Sequence, residues 1–80
     1  MLDGLKFVFT GGMERMSRGE AKDLVQSLGA RAVASVSKAT DYVVAGTDPG
    51  SKFDKAQELG VTTFTEDEFL EFLRSRGVSV

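Results

Sequence analysis

The chain has 80 residues, 41% of them hydrophobic and 28% charged, with a net charge of −2 and neither His nor Cys. That length supports one domain burying roughly 60% of the surface its unfolded form exposes, which leaves room for one core and a shallow site and argues against a deep enzymatic cleft. Disulfides and thiolate metal sites are excluded, no run approaches the ~20 apolar residues of a membrane span, and a slightly acidic chain is not built to wrap nucleic acid by bulk charge. The start, Met1-Leu2-Asp3-Gly4, shows no basic region followed by an apolar stretch, so a cytoplasmic setting is expected.

The first apolar run, Lys6 to Phe9, reads as a buried strand and delivers Thr10-Gly11-Gly12 to its carboxyl end. A helix follows. Ser17-x-x-Glu20 is a capping box, Ala21, Leu24, Val25 and Leu28 fall on one face, and Gly29 terminates it. Two further runs, Arg31 to Ala34 and Tyr42 to Ala45, read as strands, and the short link between them suggests an antiparallel pair on pattern alone. Residues 46–50, with Pro49, form a tight loop feeding a second helix, whose start is read as Ser51-x-x-Asp54 and whose end is Gly60. The run Val61 to Phe64 is the fourth strand. The last helix opens on Thr65 and Glu68, presents Phe69, Leu70, Phe72 and Leu73, and stops near Arg76-Gly77. The order is βαββαβα, a single α/β domain over residues 1–80 with its core between about 2 and 74.

Catalysis finds little support, because a Ser or Thr nucleophile without His would need a Lys or carboxylate base in a signature that is not present. The spacing after Gly12 does not fit a nucleotide-binding P-loop. Glu66-Asp67-Glu68 reads as first-turn acid favoured by the helix dipole rather than as a metal site.

Phosphate binding fits better. From Arg15 to Lys55 the chain carries seven basic and five acidic residues, whereas Ala56 to Val80 carries two and five, so an anion site belongs in the first two-thirds. Each part has a plainer reading, a turn for Thr-Gly-Gly and surface decoration for the two cations, and it is their convergence that points to a site. If the first and third strands are neighbours, Thr10, Gly11 and the loop entering the second helix share one edge, with Arg18 opening the helix between them. Thr10 Oγ1 and the Gly11 N–H would hydrogen-bond phosphate oxygens, Lys52 would supply a point charge and Arg18 a bidentate fork. Gly12, Arg15, Lys38 and Lys55 are further candidate contacts.

The segments LDGLKFVFTG, EAKDLVQSLGA, VSKATDYVVAG, GSKFDKAQELGV and EDEFLEFL together resemble a BRCT domain from Leu2 to about Leu73, most closely the type at the C-terminus of bacterial NAD-dependent DNA ligases and next the clamp-loader large subunit. The resemblance implies a four-stranded parallel sheet of order 2-1-3-4 with one helix on one face and two on the other, which resolves the short link in favour of parallel strands. It also implies that the residues matching Thr10, Gly11 and Lys52 hold a phosphate, joined by Arg18 when the ligand is a 5′-phosphorylated DNA end. Many BRCT domains carry a Trp in the last helix; here Phe69 or Phe72 is expected to fill that volume. A lone repeat lacks the second wall of the phosphopeptide groove formed by tandem pairs.

The implied function is a non-catalytic, monomeric module of a nucleoid-associated ligase, excised from a larger protein, that assists DNA binding in replication and repair. The domain itself would hold no cofactor, NAD, Mg and Zn belonging to other domains of the parent. The alternative is a docking module for a protein partner or another domain of the parent.

Overall fold

In a computed structural model, residues 2–47 and 50–80 are described, so Asp48 and Pro49 of the loop expected over 46–50 lie outside them, as does Met1. The elements are β1 (Lys6–Thr10), α1 (Arg18–Ser27), β2 (Arg31–Ala32), β3 (Tyr42–Ala45), α2 (Ser51–Leu59), β4 (Thr62–Thr65) and α3 (Glu66–Ser75), in the expected order. The sheet is parallel throughout, in the order β2-β1-β3-β4.

β1 is central and its side chains alternate between two apolar layers, as a strand's period of two requires. Phe7 and Phe9 enter the larger layer with Val44, Ala21 and Val25 of α1, and Phe69, Leu70 and Leu73 of α3. Val8 enters the smaller one with Val43, Val36 and Ala56 of α2. Two helices therefore cover one face and one covers the other. Phe69, fully buried, meets Phe7 and Phe9 edge-on, with ring centroids 5.9 and 5.4 Å away at 69° and 78°. Phe72 is only half-buried, against Tyr42 and Phe64 at 5.1 and 5.2 Å. Phe69 thus sits at the centre of this layer and Phe72 at its margin.

Three local readings are corrected. The second strand covers Arg31–Ala32 rather than reaching Ala34, because it pairs only with Lys6 and Phe7 before the chain leaves the sheet. It leaves to pass beneath β1, sending Val36 into the smaller layer and returning through Asp41, whose N–H donates to the Lys6 carbonyl at 3.0 Å. This crossing lets a short, helix-free link join two parallel strands. The second helix is capped by Gly50, not Ser51, so Asp54 falls one position beyond capping-box reach. The fourth strand is shifted by one residue, Val61 packing against the smaller layer instead. The capping boxes at Ser17/Glu20 and Thr65/Glu68 form as read.

Replacing Phe69 by Ala removes the ring that joins α3 to β1, at an expected cost of about 3–5 kcal/mol. Against a stability of ~4–12 kcal/mol for a domain of this size, the urea unfolding midpoint should fall by about a quarter or more; an unchanged midpoint would contradict the packing described.

Candidate functional site

β1 and β3 run side by side in register, Thr10 opposite Ala45, so the segments that follow them emerge at one sheet edge. There the two segments are sewn together. The Gly46 N–H donates to the Thr10 carbonyl at 2.8 Å, and Gly12 and Thr47 exchange both backbone hydrogen bonds at 2.8 Å each. A Cβ on Gly46 would collide with the Gly12 carbonyl group, so the approach requires glycine there. Gly11 has φ of 80°, a left-handed conformation that glycine adopts without strain.

This edge carries a shallow groove lined by Gly11, Gly12, Met13, Arg18 and Thr47. Arg18 is exposed at the first position of α1, where the helix dipole is positive, and the Ser17 hydroxyl accepts from the Glu20 N–H at 3.1 Å just before it. Thr10 is buried, with 6% of its surface exposed, and precedes the groove rather than lining it.

Lys52 and Lys55 are exposed and line a second groove, with Ala34, Ser35, Val36 and Ser51. The fold thus joins Gly11, Gly12 and Arg18 in one groove and places Lys52 with Lys55 in another. Gly50 has no side chain with which to cap α2, unlike Ser17 and Thr65 at the other two helices, so among the described residues no N-cap side chain covers the first turn containing Lys52.

Arg15 lies in a third groove, lined also by Gly12, Gly46, Thr47, Thr65 and Glu66, and its Nε pairs with Asp67 Oδ1 at 2.9 Å. Both partners are well exposed, at 59% and 75%, so the pair is screened and contributes little stability. Lys38 sits in the turn before β3, near the amino end of the strands, and joins none of these groups.

Sequence reasoning missed Glu66. Its Oε1 accepts the Glu14 N–H at 2.9 Å, and its Oε2 accepts the N–H groups of Arg15 and Met16 at 2.7 and 3.3 Å. Capping of α3 falls instead to Thr65 and Glu68, whose reciprocal bonds measure 3.2 and 2.9 Å. Glu66 thus holds a loop 50–52 positions away, a pairing that leaves no local trace in the sequence. Among the described residues, no group of His, Cys, Asp or Glu side chains could hold a metal ion.

The model of the BRCA1 C Terminus (BRCT) domain family matches residues 1–73. The chain is 59% identical over 73 residues to a DNA ligase of Coprothermobacter proteolyticus, covering 91% of this chain and 11% of that protein. It is 60% identical over 70 residues to a DNA ligase of Geobacter metallireducens, covering 88% and 10%. It is 51% identical over 74 residues to a DNA ligase of Pseudothermotoga lettingae, covering 92% and 11%. The chain therefore spans about a tenth of the length of these relatives.

Gly46→Ala should force the two edge segments apart and destabilise the domain by about 1–3 kcal/mol, as overpacking does elsewhere. Urea unfolding measures the loss, and amide exchange should quicken first at Gly12 and Thr47; unchanged protection there would show that the close approach is dispensable.

Proposed function

The chain belongs to the BRCT family, and from that premise we propose that it serves a DNA ligase as a non-catalytic module that engages a phosphate at a nick or 5′-phosphorylated end in replication and repair. The observation that carries this reading is the groove in which Gly11 and Arg18 meet at the carboxyl edge of β1. An N–H donor and a guanidinium fork at a helix N-terminus suit a phosphate in charge and geometry. Thr10, buried one residue before the groove, anchors the end of β1 that presents Gly11. Lys52 lines a separate groove at the start of α2, and in this reading its flexible side chain extends from there toward the phosphate, with the first-turn donors and dipole of α2 adding to its charge. Lys55, on the same groove wall as Lys52, contacts the DNA backbone further along. Adenylation and strand joining, with NAD, Mg and Zn, belong to other parts of the parent enzyme, which acts on chromosomal DNA in the cytoplasm.

A docking role is the second reading, and one surface favours it. Phe64 and Phe72 line a groove along α3 that is rimmed by Asp67, Glu68 and Glu71. Arg76 lies 4.7 Å above the Phe72 ring and covers part of it, which makes this surface smaller than the residue types suggest.

The two readings separate in a titration of duplexes with and without a 5′-phosphate. With two cations on phosphate, affinity should fall ~10-fold between 50 and 200 mM salt. Wild type should favour the phosphorylated duplex, and Lys52→Ala or Arg18→Ala should each weaken that complex roughly tenfold, the weight of one charge-assisted hydrogen bond. Equal binding of both duplexes, or unaffected variants, would discard the phosphate reading and leave docking in its place.

A further inference from the structure

Three successive N–H groups aimed at one anion form the kind of backbone concavity that binds phosphate in other proteins. In this fold the concavity over Glu14, Arg15 and Met16 is filled by the protein's own carboxylate, at 2.7–3.3 Å, from the first residue of α3. Resting on the phosphate reading above, we infer that Glu66 is a positioning residue for that site: it holds the loop between β1 and α1 so that Gly11 and Arg18 face one phosphate, and it keeps DNA phosphates out of the neighbouring concavity.

The placement of the ties supports this role. The loop is fixed at Gly12 by Thr47, at residues 14–16 by Glu66 and at Ser17 by the Glu20 carboxylate, whose Oε1 accepts the Ser17 N–H at 3.1 Å. Met13 and Met16 also pack against the larger core, but apolar contacts carry no direction, whereas three charge-assisted hydrogen bonds set the rotation of the peptide planes. The loop leads directly into Arg18, so its course sets where the first turn of α1 presents the guanidinium. Glu66 is spared for this task because Thr65 and Glu68 cap α3.

Glu66→Ala makes the domain more positive by one charge, and bulk electrostatics alone would then tighten DNA binding. A positioning role predicts the opposite for one ligand: preference for the 5′-phosphorylated over the unphosphorylated duplex should drop roughly tenfold, as on loss of one charge-assisted contact. The amides of Glu14, Arg15 and Met16 should exchange faster at a temperature where the domain remains folded. Glu58→Ala, which removes an equal charge from an exposed position near the end of α2, is the control and should leave the preference intact. Glu66→Gln keeps the shape and serves where the alanine variant fails to fold, with an intermediate loss expected. A wild-type preference that survives both Glu66 substitutions, or that Glu58→Ala reduces equally, overturns the role of Glu66 alone. A wild type that binds both duplexes equally overturns the phosphate reading, and this inference with it.

Discussion

The structure depends on β1 being buried from both sides. Its apolar residues serve opposite layers, Phe7 and Phe9 one and Val8 the other, while β2 and β3 occupy its two edges. A strand packed on both faces and paired with β3 along Phe7–Thr10 has little lateral freedom, so its carboxyl end is a fixed point. Thr10, Gly11 and Gly12 inherit that fixity. The candidate site is in this sense an extension of the core, and the loops around it are placed by pairing with it.

The linear distribution of charge is misleading about the distribution in space. Along the chain, the basic excess lies between Arg15 and Lys55 and the acidic excess after Ala56. Folding brings the start of α3 against the β1–α1 loop, so that Glu66 meets the backbone of 14–16 and Asp67 meets Arg15. The Glu66 carboxylate is thereby engaged by backbone donors and Asp67 is paired with Arg15, while Arg18 and Lys52 stay exposed. Of the basic positions in the first two-thirds, Arg15 has an ion-pair partner and Lys38 faces the other end of the strands, so the edge itself is less positive than a tally suggests.

What the sequence made legible was whatever has a local cause. Ser17 with Glu20 and Thr65 with Glu68 announce helix starts because the bonds they make span three residues. The apolar run of β1 announces a doubly covered strand for a similar reason. Sheet order was a different matter: the few residues between Ala34 and Tyr42 suggest an antiparallel pair on pattern alone, and only the resemblance to BRCT domains pointed to parallel strands. Ser51 misled because a Ser with Asp three residues on satisfies the capping pattern, while Gly50 takes the cap one position earlier. Of the candidate site, Gly11 and Arg18 converge as their positions after β1 and before α1 suggested, whereas the separation of Lys52 into its own groove depends on the packing of residues 34–36. Glu66 was hidden by its neighbours, which offered a sufficient local explanation for an acidic run.

The reach of Glu66 across 50–52 positions bears on how the domain comes apart. Surface loops commonly open on their own, at a fraction of the free energy needed to unfold the whole. A loop anchored by the last helix, itself keyed to β1 through Phe69, has its opening coupled to the departure of α3. The first loop and the last helix are thus tied to each other and to β1 by contacts far apart in sequence. Order at the candidate site becomes a property of the complete fold.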